Sequence, residues 1–213
     1  MNALPPPRPF LQALEPDQLN ALPIGRYEGP VHLVRNDAEA RIALAALAGD
    51  TLLGFDTESR PSFRKGENHP VALVQLAGVC GVWLFQLRGL ADPAPLAALL
   101  GDADVRKVGV ATADDGRKLR ETLACEPAGF LDLSAVARRH GLRQPSLRQL
   151  AAILLGIRIP KGTRLTNWAR LDLTPAQVAY AATDAWIARQ VYLRLRELGD
   201  RKSTRLNSSH VSQ

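Results

Sequence analysis

Asp56 and Glu58 stand two residues apart at the end of an apolar run, Leu52-Leu53-Gly54-Phe55. On a strand such residues point to the same face, about 6.6 Å apart along the chain. Carboxylates that project together repel one another unless a cation lies between them. Hard oxygen ligands suit Mg²⁺ or Mn²⁺. The same pair also fits a solvated strand end leading into a turn. Tyr180 and Asp184 make a second pair, four apart, so on a helix they share one face at about 5–6 Å. Ile187 and Val191 continue that face, and Ala181, Ala182 and Ala185 surround Asp184 with small side chains. An acid on an inward helix face needs a partner, because an unpaired buried charge is costly. A metal would serve, and a partly exposed edge would remove the need. Asp114-Asp115 is the third candidate. Both acids suit the first turn of a helix, where the dipole favours negative charge, and Asp115 is open to a different role.

The elements that must hold these acids follow from pattern and punctuation. Strands are expected at residues 31–35, 51–58, 71–77, 82–87 and 105–111. Gly78 and Gly81 join the third to the fourth. Asn36 or Asp37 caps a helix to about Ala48, and Asp92-Pro93 opens another that Gly101 stops. Further helices are expected at 114–124, 133–140 and 146–155. The longest starts at Thr174-Pro175 and ends near Leu198-Gly199. Adjacent early strands followed by helices point to a mixed-sheet α/β fold with helices on its faces. The early hairpin argues against an all-parallel doubly wound sheet.

The chain has 213 residues, a formal charge of +6 and 46% hydrophobic residues, which suits one decorated globular domain and rules out wholesale disorder. Residues 1–30 hold seven of the fifteen prolines and read as an extended arm with apolar anchors such as Phe10, Leu14 and Leu22. The domain proper is expected at 31–199. Residues 200–213 are polar, serine-rich and aperiodic, and read as a disordered tail of doubtful origin. Residues 1–10 have no apolar signal core, and no apolar stretch reaches the roughly 20 residues of a membrane span. Cys80 and Cys125 are too few and too far apart for a disulfide framework. Both read as buried reduced thiols, which implies a reducing, cytoplasmic setting.

The ordered set of segments resembles the DEDD superfamily of 3′–5′ exonucleases, in the DEDDy branch that includes ribonuclease D and the exonuclease domain of the Werner syndrome helicase. The segments are Phe55-Asp56-Thr57-Glu58, Val71-Ala72-Leu73-Val74-Gln75-Leu76-Ala77, Lys107-Val108-Gly109-Val110 with Asp115 eight residues after Lys107, Asn167-Trp168-Ala169, and Tyr180-Ala181-Ala182-Thr183-Asp184-Ala185. The resemblance covers roughly residues 31–197 and implies a ribonuclease-H-like fold, a mixed sheet flanked by helices. It implies that Asp56, Glu58, Asp115 and Asp184 bind two Mg²⁺ or Mn²⁺ ions and that Tyr180 positions the attacking water. Gln75 and Trp168 match recurrent positions that hold no metal, and Gln75 is grouped with the strand-binding residues. The chain departs from the family's usual text at Ala111-Thr112-Ala113.

The implied substrate is a nucleic-acid strand, RNA or DNA, cut from its 3′ end to nucleoside 5′-monophosphates. Residues 133–171 contain no acid and eight Arg and Lys residues, a charge pattern suited to phosphate contact. Within that span Arg158, Lys161 and Arg164 read as a loop contact. Arg60, Arg64 and Lys65 form a second patch beside Glu58. With aromatic residues at only 5% of the chain, a long base-stacking platform is not expected. Two other readings fit the residues, a non-catalytic nucleic-acid-binding module on the same fold and a small-molecule metal phosphohydrolase.

Overall fold

The computed structural model describes residues 14–62, 64, 67–139, 142, 145–160 and 166–209. The described part of the proline-rich arm packs onto the domain. Pro16 opens a short helix, α1 (Pro16–Asn20), after which the chain runs alongside later segments. The Gly25 N–H donates to the Arg158 carbonyl, and the Arg158 N–H to the Pro23 carbonyl, each at 2.9 Å. The Tyr27 N–H donates to the Thr183 hydroxyl at 3.1 Å.

The sheet begins with β1 (Val31–Val34). Asn36 then caps α2 (Asp37–Leu47), its side chain accepting the Glu39 N–H at 2.9 Å. Three strands follow in sequence: β2 (Leu52–Ser59), β3 (Val71–Ala77) and β4 (Val82–Gln86). A single 3₁₀ turn (Leu87–Gly89) leads to α3 (Ala94–Gly101), with Pro93 at its start. Next come β5 (Arg106–Gly109), α4 (Thr112–Leu123), β6 (Phe130–Asp132) and α5 (Leu133–Arg139). Ser146 caps α6 (Leu147–Leu150), which widens into a π-helical turn (Ala151–Leu155). The last element, α7 (Pro175–Ser209), is the longest. A reciprocal cap fixes its start: the Gln177 N–H donates to the Thr174 hydroxyl, and the Thr174 N–H to Gln177 Oε1.

The six strands lie in the order β1-β4-β3-β2-β5-β6. β2, β3 and β4 pair antiparallel, while β1 joins β4, and β5 and β6 extend from β2, in parallel. This is the expected mixed sheet. One face carries Phe55, Val74 and Phe85 and meets Ala43 and Leu47 of α2, Leu100 of α3 and Leu119 of α4. The other carries Leu73, Ala77 and Leu84 and meets Ala181, Ala182 and Ala185 of α7.

Three expectations are corrected. α7 does not end near Leu198-Gly199 but continues to Ser209. A lone glycine costs a helix only about 1 kcal/mol, and no proline follows to stop it. Cys80 is exposed, in the turn between β3 and β4, and only Cys125 is buried. β6 had no counterpart among the expected strands, because three half-buried residues carry too little pattern to mark a strand. Among the described residues no helix is long and apolar enough to cross a membrane.

Candidate active site

The first acids ride on β2, whose residues alternate between the two sheet faces. Phe55 points into the core under α4, so Asp56 points to the α7 face, beside Gln75 in the register of β3. α7 approaches this face closely because Gly54 has no side chain: a Cβ there would lie 2.0 Å from the Ala185 carbonyl oxygen. Asp184, the neighbour of Ala185, is thereby brought against Asp56. Tyr180, one turn earlier, hydrogen-bonds Asp184 and rests against the Trp168 ring, with centroids 6.0 Å apart.

Asp115 arrives from the opposite side. α4 starts at Ala111, whose φ of 61° is left-handed and strained for a residue with a Cβ. Asp132, at the end of β6, holds this corner by accepting the Ala111 N–H at 3.2 Å and the Ser134 N–H at 2.8 Å. The corner turns the first turn of α4 over β2, where the Thr57 hydroxyl donates to Asp115 at 2.5 Å. Asp114 points outward into an exposed ion pair with Arg117 at 3.2 Å, which leaves the inner position to Asp115.

The electrostatics show that these groups form one site. Burial, and then the charges of Asp184, Asp115 and Glu58, hold the Asp56 carboxyl well above the usual carboxylate range, against the Thr57 N–H that favours its ionised form. Burial pushes Asp184 up to about 6, opposed by the Tyr180 hydroxyl and by Arg148. Burial also raises Asp115, although the Thr57 hydroxyl and Lys118 counter it. The Tyr180 phenol is raised above its ordinary value by burial and by the negative charges of Asp184, Glu58 and Asp56. Asp184, Asp115 and Glu58 thus raise the affinity of Asp56 for positive charge. Among the described residues no three acids stand ready as a ligand group. Four hard oxygen donors coupled by charge fit divalent cations of the Mg²⁺ or Mn²⁺ type.

The other expected residues divide. Arg60 and Arg64 are exposed after β2, and Lys65, Lys161 and Arg164 lie outside the described residues. Gln75 does not face solvent and cannot touch a strand from outside: it is fully buried, and neither polar atom has a hydrogen-bond partner among the described residues. Arg158 is half-buried and holds the arm, its Nε–H donating to the Leu22 carbonyl at 3.0 Å. Two residues outside the expected site belong to it. Arg148, on α6, adds positive charge facing Asp184; it lies in the acid-free span, but only the fold singles it out. Thr57 was hidden as the spacer between two acids.

A family model for the 3′–5′ exonuclease matches residues 31–200. The chain is 31% identical over 160 residues to the bifunctional 3′–5′ exonuclease/ATP-dependent helicase of Mus musculus, covering 72% of this chain and 11% of that protein. It is 36% identical over 134 residues to a ribonuclease D of Gluconacetobacter diazotrophicus, covering 62% of this chain and 34% of that one. It therefore spans only part of the length of these relatives. The solved EXO domain of Aedes aegypti Nibbler shares the fold, with a TM-score of 0.72, 23% identity, and coverage of 81% of this chain and 91% of that one. The mixed sheet with its flanking helices is thus ribonuclease-H-like. Since the family's model spans all six strands and both acid-bearing helices, the chain belongs to the 3′–5′ exonuclease family.

Proposed function

We propose that this chain removes nucleoside 5′-monophosphates from the 3′ end of a nucleic-acid strand, with two Mg²⁺ or Mn²⁺ ions held by Asp56, Glu58, Asp115 and Asp184. The observation that supports this most directly is the convergence on Asp56 of negative charge from Glu58 on β2, Asp115 on α4 and Asp184 on α7. Bound there, the ions supply charge neutralisation for the phosphoryl group and lower the pKa of the attacking water. The chain's own groups do the rest. Thr57 and Tyr180 fix Asp115 and Asp184 by hydrogen bonds, so these carboxylates need little reorganisation when substrate binds. Tyr180 stays protonated at neutral pH, since its surroundings raise the phenol further from its ordinary value. It therefore orients a water rather than deprotonating it. Arg148 places positive charge where the phosphate must enter. A cytoplasmic setting suits the exposed free thiol of Cys80.

The test is digestion of a 5′-labelled oligonucleotide, as matched RNA and DNA. A ladder shortening from the 3′ end is expected with Mg²⁺ or Mn²⁺, and none with EDTA or with Asp56→Ala. Equal ladders in all three arms would defeat the reading.

A further inference from the structure

The end of the sheet next to the acids opens into a cavity of about 460 Å³ that the hydrolytic step does not use. Its floor is the start of β3, at Val71 and Ala72, the end of β4, at Gln86, and Leu87 of the 3₁₀ turn; Trp168 forms a wall. The same indole touches Tyr180, so cavity and acid site share an aromatic partition. Leu73 is the register partner of Glu58, and Val71 lies two residues further along β3. The floor therefore starts within about 7 Å of the level of Glu58.

The lining has the chemistry of a site rather than of a packing defect. Three atoms of the lining residues are buried without a hydrogen-bond partner among the described residues, the Trp168 Nε1–H donor, the Gln86 Oε1 acceptor and His69 Nε2, the last of which lies 3.2 Å from the Glu67 carboxylate. The Gln86 amide is fixed, because its nitrogen donates to the carbonyls of Arg170 and Leu171 at 3.0 and 3.1 Å. Arg60, Arg88 and Arg170 stand exposed around the rim, and no carboxylate is among the described lining residues. An apolar floor with few polar groups suits a planar ring, and three guanidiniums with no carboxylate among the described lining residues suit phosphates, Arg88 being steadied by one bond to the Ala169 carbonyl at 3.0 Å.

We propose that this cavity holds a nucleotide of the substrate strand upstream of the scissile bond. Its base lies on the apolar floor beside Trp168, and the flanking phosphates meet Arg60, Arg88 and Arg170. The assignment rests on the exonuclease reading given above. It gives the strand a second anchor besides its 3′ end, so affinity grows with length without reading sequence.

The test uses Arg60→Ala/Arg170→Ala, two exposed side chains whose loss leaves the core intact; thermal melting checks the fold. Binding is followed by anisotropy of a fluorescent octanucleotide on the Asp56→Asn chain in EDTA, so that it is read without cleavage. The double substitution is expected to weaken binding about tenfold. It should also flatten the plot of log affinity against log salt by about 1.4, the share of two single-strand phosphate contacts. With Asp56 intact, KM for the octanucleotide is expected to rise toward that for a dinucleotide. Unchanged affinity and salt slope would overturn the proposal. Arginine-dependent binding by a chain that cleaves no oligonucleotide would support the cavity and overturn only the hydrolytic reading.

Discussion

Tyr180 is the residue whose role depends most on its surroundings. A phenol near a cluster of acids invites assignment as a base, but burial and three negative neighbours push its titration the wrong way. What remains is a hydrogen-bonding group fixed between Trp168 and Asp184. Tyr180→Phe is expected to lower kcat about a hundredfold with little change in KM, because a misplaced water slows the reaction without weakening strand binding. Single-turnover and steady-state kinetics at saturating metal check this. An equal rise in KM would place the hydroxyl in strand binding instead. The sequence showed Tyr180 and Asp184 as helical neighbours because an i,i+4 spacing needs no tertiary knowledge. It could not show that Thr57 bonds Asp115, since that contact joins residues 58 apart. Nor could it show that Gln75 is buried, since a glutamine in an apolar strand reads equally as a pore-facing or a core residue.

At the scale of elements, the site depends on how closely α7 lies on β2. Gly54 sets that distance, and a methyl group there would meet the Ala185 carbonyl and the Arg189 Cβ. Gly54→Ala is expected to cost about 1–3 kcal/mol through overpacking. It is also expected to move Asp184 away from Asp56, so that activity falls at least about tenfold at temperatures well below the melting transition. Paired melting curves and initial rates check this. A loss of stability with normal rates would show that the acids tolerate a looser helix. The strands and most helices were legible because caps and alternation are local: Asn36, Pro93, Ser146 and Thr174 all lie at helix starts. The π-helical turn at Ala151–Leu155 was not, because its wider winding follows from packing five buried residues against α7 and not from their order. The role of Arg158 was lost for a similar reason. A cation in an acid-free loop looks free until the arm from residue 22 arrives to occupy it.

At the scale of the whole molecule, Lys107 couples stability to pH. It is fully buried, and its ammonium donates to the Leu99 and Asp102 carbonyls at the end of α3, at 3.2 and 2.6 Å. Burial lowers its pKa from 10.5 to about 8. Below pH 8 the lysine is charged in both folded and unfolded chains, and the fold bears the full desolvation cost. Between pH 8 and 10.5 the unfolded chain binds the extra proton, so stability rises with pH, by up to about 3 kcal/mol. Urea unfolding of the wild type and of Lys107→Met across this window checks it: the difference between the two curves should grow in favour of the wild type as pH rises. Parallel curves would show that the buried group does not titrate there. The broad charge pattern was readable, but its use was not, since α6, the arm and the cavity rim take different arginines from one basic span.

The placement of Asp56 against Asp184 also has an entropic side. These acids are 128 residues apart in the chain, and nothing local holds them together. Bringing them together means closing a long loop, whose entropy must be offset by the packing of α7 on the sheet. A copy of this chain in which α7 has not docked on β2 has no assembled acid cluster, so the proposed cleavage would require the finished fold.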